Sequence, residues 1–151
     1  MARLSTGLAK AMVDSTGFNG KLTTGVIDVF PGTMPADAKD AISGTMLVRI
    51  TKASGAWVAG TATNGLVMDA TDNVLGIHAG DTWSGVATAS GTAGFAVFKG
   101  NPADNNGSST TLARALLSVG VGTGEVQLSH IDITTSATVS VPSITLPQPR
   151  V

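Results

Sequence analysis

Apolar positions in this chain fall into short, mostly contiguous runs separated by turn-forming residues, and in the tail they alternate with a period of two. The N-terminal segment differs. Leu4, Leu8, Ala11 and Met12 recur at helical spacing, with Ser5 placed to cap and Gly17 placed to stop, so residues 4–14 are expected to form one short amphipathic helix. Strand patterns follow. Gly25-Val26-Ile27-Asp28-Val29-Phe30 is a β-rich run closed by Pro31-Gly32, because proline donates nothing to a ladder and glycine accepts positive φ. Residues 33–44 read as a loop and residues 45–51 as the next strand. Brief apolar runs at 57–59, 66–68 and 74–77, divided by Asn64-Gly65 and Asp72-Asn73, suit short antiparallel strands.

The clearest hairpin signal is residues 83–89, Gly91, then residues 92–98, which would put Val86 on one face with Phe95 and Val97. Residues 101–109 read as an exposed polar loop and residues 112–119 as a further strand, with a helical turn as the alternative. In the tail, Ile131, Ile133, Val139, Val141, Ile144 and Leu146 alternate around Pro142. Pro142, Pro147 and Pro149 mark residues 142–151 as an edge strand running into an extended arm that reaches a neighbour. The Leu4/Leu8/Met12 stripe has two readings, a face packed on its own domain or a docking face. Many short strands, nineteen glycines and no alternation of strand with helix give one mostly β domain over residues 1–151. Its expected form is an antiparallel β-sandwich or jelly-roll-like fold with one short N-terminal helix.

Composition adds a constraint on partners. Apolar residues make up 42% and charged residues only 13%, against about 25% in ordinary globular chains. Such a deficit points to a surface covered by other protein, hence a homo-oligomer or an assembly subunit. Nine basic residues spread from Arg3 to Arg150 form no patch for phosphate, which excludes nucleic acid as the expected partner. There is no tyrosine, and Phe18, Phe30, Phe95, Phe98, Trp57 and Trp83 are expected in the core. Cysteine is absent, so the fold holds without disulfides or thiolate metal sites. No run resembles a signal peptide or approaches the roughly 18 apolar residues of a membrane span, so cytoplasmic synthesis and no membrane partner are expected.

Reactive constellations are thin. His78 and His130 lack the spacing of a metal pair, and no Gly-x-Ser-x-Gly elbow occurs, residues 82–85 missing the leading glycine. Residues 69–73 and Asp104-Asn105-Asn106 offer loop oxygens but not the glycine and terminal glutamate of a calcium loop, and Asx turns account for both. Gly120-Val121-Gly122-Thr123-Gly124-Glu125 is followed by a strand-like run, which suits a hairpin turn and not a phosphate cradle. No catalytic, cofactor or metal site is expected, and the chain reads as non-enzymatic.

Several segments together resemble a family of small tailed-bacteriophage virion proteins: residues 1–8, Gly25 through Ala38 with Phe30-Pro31-Gly32-Thr33-Met34-Pro35, and Gly44-Thr45-Met46-Leu47. Trp83-Ser84-Gly85, Ser90 through Phe95 and Gly100-Asn101-Pro102-Ala103-Asp104 extend the likeness over most of the chain. Phe30-Pro31 and Val97-Phe98 depart from it, where an aromatic followed by serine and two adjacent aromatics are commoner. The resemblance implies a structural role in the virion: a head decoration or cement protein contacting the major capsid protein, or alternatively a neck or tail accessory or spike protein touching a host surface or carbohydrate. Exposed β edges and the local three-fold sites of a capsid favour a trimer.

Overall fold

The computed structural model describes residues 2–13, 17–71 and 74–147, with residues 11–13, 70, 71, 74 and 147 described by backbone alone. Two helices, α1 (Thr6–Val13) and α2 (Gly17–Leu22), lie among thirteen short strands. The first eight strands are β1 (Arg3–Leu4), β2 (Val26–Pro31), β3 (Val48–Lys52), β4 (Met68–Thr71), β5 (Val74–Ile77), β6 (Trp83–Val86), β7 (Gly91–Lys99) and β8 (Arg114–Gly120). The tail supplies β9 (Val126–Gln127), β10 (Asp132–Ile133), β11 (Thr138–Ser140), β12 (Ser143–Ile144) and β13 (Leu146–Pro147). With 37% strand and 8% helix the chain is mostly β.

One curled ten-stranded sheet runs β11-β6-β3-β2-β7-β8-β9-β12, with β1 added to β8 and β10 to β7, and a three-stranded sheet runs β13-β5-β4. The large sheet is mixed, because β8 and β9 pair in parallel. The glycine-rich turn between them is therefore not the expected hairpin. Positive φ at Gly122 and Gly124 lets five residues carry the chain round to a parallel neighbour only two residues long.

The N-terminal helix forms where the spacing places it, but it is one of two. Ser5 is fully buried: its Oγ accepts the Leu8 N–H at 3.2 Å, which caps α1. The same oxygen accepts the Arg114 N–H at 3.0 Å and donates to the Leu112 carbonyl at 2.8 Å, tying the helix start to β8. Gly17, expected as a stop, opens α2 at φ 65°, and Phe18 and Leu22 pack one turn apart into the core.

At the centre, β2, β7 and β8 are buried on both faces. One face sends Ile27, Val29, Ala96, Phe98 and Leu117 into the main core with Leu8, Leu22 and Trp83, where Met68, Leu75 and Leu146 of the small sheet join them. Burying each of the larger side chains is worth about 1.5–3 kcal/mol. The opposite face carries Phe30, Phe95, Val97 and Leu116 under Ala38 and Ile42, with Phe30 and Phe95 stacked at 5.5 Å. A Cβ on Gly94 would sit 1.9 Å from the Gly32 carbonyl oxygen, so only glycine lets β7 pass the end of β2.

The expected hairpin of residues 83–98 is absent. β6 pairs with β3 and β11, while β7 pairs with β2, β8 and β10, so two strands, β3 and β2, separate these consecutive strands. Thr88 and Ala89 donate to the Leu47 carbonyl on the way across, and Val86 is exposed while Phe95 and Val97 are buried. Residues 57–59 form a loop and not a strand.

Candidate functional site

Of the positions expected to make contacts, the structure withdraws several. Leu8 is fully buried in the main core and Leu4 is half-buried against it, so the helix stripe packs on its own domain and the docking reading is corrected for both. The Met12 side chain lies outside the described residues. Over residues 143–147 the extended arm is also corrected, since Ser143 and Ile144 pair with β9 and Leu146 and Pro147 pair with β5, while residues 148–151 lie outside the described residues. Alternating Ile144 and Leu146 have apolar neighbours to bury against, which an arm in solvent would forgo. Pro142 is exposed beside this returning segment, and Pro149 lies outside the described residues. Neither terminal segment is brought together with the other as a contact patch.

What the sequence reading missed is a cluster of charge on the second face of the large sheet. The register places Asp28 opposite Arg49 and Val97, and Lys99 opposite Val26 and Arg114, so one face collects charged side chains from four strands. Asp28 is fully buried and accepts Arg49 Nε at 2.7 Å and Nη2 at 2.9 Å, then Lys99 Nζ at 2.7 Å. Lys99 is 2% exposed, lies over the Phe30 ring and also donates to Asn106 Oδ1. Arg114, with no exposed surface, grips Asp104 through Nε at 2.6 Å and Nη2 at 2.5 Å, and reaches the Gly107 carbonyl at 2.8 Å.

Each partner has a physical consequence. Hydrogen bonding to Asp28 holds the Arg49 guanidinium above its ordinary pKa. Burial pushes the Asp104 carboxyl up, but the Arg114 fork, the Asn106 N–H and the Lys99 charge more than offset it and hold the acid below its usual value. The cluster fastens the loop between β7 and β8, where Asn106 N–H to Asp104 Oδ1 at 2.9 Å and Gly107 N–H to Asn105 Oδ1 at 3.1 Å make two Asx turns. A signal for it stood in the sequence: Asp28, Lys99 and Arg114 each interrupt or end an apolar run at a core-strand position.

The remaining candidates are separate. His78 Nδ1 meets Asp69 Oδ1 at 2.8 Å across the β4–β5 hairpin, which raises the imidazole and lowers the acid. His130 touches Ser129 Oγ at 3.0 Å elsewhere on the surface. Among the described residues no group of three or more His, Cys, Asp or Glu is placed to hold a metal ion. Of the two tryptophans, Trp83 is 1% exposed, edge-on to Phe98. Trp57 is half-buried, donates to the Thr24 carbonyl at 2.9 Å and has the Arg49 guanidinium 5.4 Å above its ring. A surface depression of about 280 Å³ is lined by Lys39, Asp40, Ser108, Ser109 and Thr110, with Lys39 already paired to Asp37 at 2.5 Å.

Exposed large apolar side chains among the described residues are Val58, Val86 and Val121. The rest of the described surface mixes charged side chains such as Lys39, Lys52 and Asp132 with small and hydroxyl-bearing residues, the sequence having twenty threonines and thirteen serines. No helix of the described chain is long and apolar enough to cross a membrane. No protein-family model, no curated protein and no solved structure matches this chain.

Proposed function

We propose that this chain is a non-enzymatic structural protein of a tailed-bacteriophage virion, a capsid decoration or cement protein that stabilises the head shell by bridging its subunits. One observation carries the reading. Asp28, Lys99, Asp104 and Arg114 are drawn inside, which leaves at most fifteen of nineteen charged side chains for a surface of 7178 Å². A small domain kept apart in solution holds more charge outside than this.

Because the α1 stripe and residues 143–147 are engaged within the domain, bridging falls to the exposed elements, Val86 beside the edge strand β11 foremost. The partners are the major capsid protein and further copies of this chain, a trimer favoured, on particles whose components are made in the host cytoplasm. Each bound subunit adds to the stability of the assembled shell by mass action. A sandwich or jelly-roll-like description of the fold belongs to the same reading, supported by the small sheet sharing the main core with one face of the large one. A carbohydrate-binding neck or tail spike needs an open aromatic face, and the burial of Trp83 and the cover of Arg49 on Trp57 favour the shell.

Labelling intact virions with a specific antibody and locating the label by electron microscopy tests the proposal. Label over the head is the expected result; label confined to the neck or tail replaces the cement role with the accessory one, and particles without label overturn the virion assignment.

A further inference from the structure

On the covered face of the sheet the Lys99 amine donates to both the Asp28 carboxylate and the Asn106 carboxamide. We infer that they form an intramolecular amide cross-link, Lys99 Nζ to Asn106 Cγ, made once by the folded chain with Asp28 as its proton carrier.

The geometry supplies each requirement. Lys99 Nζ contacts Asn106 Oδ1, so the electrophilic Cγ lies one covalent bond beyond the oxygen that the amine already touches. Asp28 Oδ2 lies 2.7 Å from the same Nζ and is oriented by the two-point grip of Arg49. Lys99 is 2% exposed and Asp28 fully buried, with Phe30 over the amine, so water is kept from the amine and its proton acceptor, while Asn106 is partly buried. Holding the groups together makes a reaction that is very slow between free amides and amines effectively unimolecular.

The atoms balance without an oxidant or co-reactant. Asp28 takes a proton from the Lys99 ammonium, and the freed Nζ lone pair forms a bond to Asn106 Cγ. The proton held on Asp28 and the surplus proton on Nζ pass to the departing nitrogen as the Cγ–Nδ2 bond breaks, so ammonia leaves as ammonium and Asp28 ends as a carboxylate.

Charge in the cluster points the same way. Arg49, Lys99 and Arg114 set three cations against the two carboxylates of Asp28 and Asp104. Converting the ammonium to a neutral amide leaves two guanidinium–carboxylate pairs, one fully buried on its acid side and one on its base side. In a chain without cysteine, this bond would fasten the β7–β8 loop where a disulfide is not available.

Intact-mass spectrometry of the full chain, purified folded and then denatured, reads the reaction directly: the expected mass lies one ammonia, about 17 Da, below that of the sequence. Trypsin is then expected to spare Lys99 and release residues 53–114 as one piece with that deficit, and Asn106→Ala to restore both full mass and cleavage. A full-mass wild type overturns the inference. Ring closure of Asn106 onto the Gly107 nitrogen loses the same mass, but it leaves Lys99 open to trypsin and is cut by hydroxylamine, and that pattern overturns the inference as well.

Discussion

Replacing Ser5 with alanine removes one oxygen that serves three backbone groups. Its Oγ caps α1 through the Leu8 N–H, accepts the Arg114 N–H and donates to the Leu112 carbonyl, all at a residue with no exposed surface. Loss of a serine cap costs about 1 kcal/mol. Orphaning a buried N–H or carbonyl adds about 1–3 kcal/mol, so the expected total is about 2–4 kcal/mol. For a domain whose whole stability is about 5–15 kcal/mol, that is a large share. Urea unfolding followed by fluorescence suits the measurement, since Trp83 is 1% exposed and moves from core to water. The midpoint should fall with the slope unchanged, and Ser43→Ala, at an exposed site, should stay within about 0.5 kcal/mol of wild type. A Ser5→Ala midpoint equal to that of Ser43→Ala would refute the reasoning that ties the helix start to β8.

Other changes separate packing from contact and charge. Leu8→Ala should cost about 2–5 kcal/mol in unfolding experiments, because the side chain is fully buried. Val86→Asp, at an exposed position, should leave stability within about 0.5 kcal/mol yet lower the oligomer mass seen by light scattering; an unchanged oligomer removes Val86 from the interface, and a monomeric wild type at micromolar concentration removes the trimer. Asp104→Asn leaves Arg114 buried without its counter-charge and should cost about 3–5 kcal/mol by thermal or urea unfolding. Because the folded-state pKa of Asp104 is lowered, its contribution is present above its ordinary value of 3.8 and is lost as pH falls through the folded value. His78 behaves oppositely. Its raised pKa makes its contribution full below 6.5 and lost as pH rises through the folded value, so an NMR titration should place its midpoint above 6.5 and Asp69→Asn should bring it down.

How much of this was legible follows from which forces are local. The tail reads correctly from alternation alone: Ile133, Val139, Val141, Ile144 and Leu146 are buried because every second residue of a half-covered strand is. α1 reads from its stripe and its cap, whereas α2 hides because Gly17-Phe18-Asn19-Gly20-Lys21-Leu22 carries two glycines, and only the Phe18–Leu22 spacing marks it. Turn chemistry around Gly91 says that a chain reverses but not which strand it then joins, so β6 and β7 look paired when Leu47 and two strands lie between them. The buried charge cluster is the least local feature. Lys99 finds Asp28 across 71 residues, and nothing near either residue announces the other. A lone charge in an apolar strand looks turned to solvent until the register supplies its partner.

The late strands have a consequence for synthesis. β6 stands bare on its outer side until Thr138–Ser140 has left the ribosome, and β5 until Leu146–Pro147 has followed. Neither sheet is complete until residues 138–147 emerge, so a chain stalled or terminated before them exposes open strand edges to its copies on the same messenger. The domain closes only once β11 and β13 have joined their sheets, and a truncation before β11 should appear in the insoluble fraction of the cell even though most of its core residues are present.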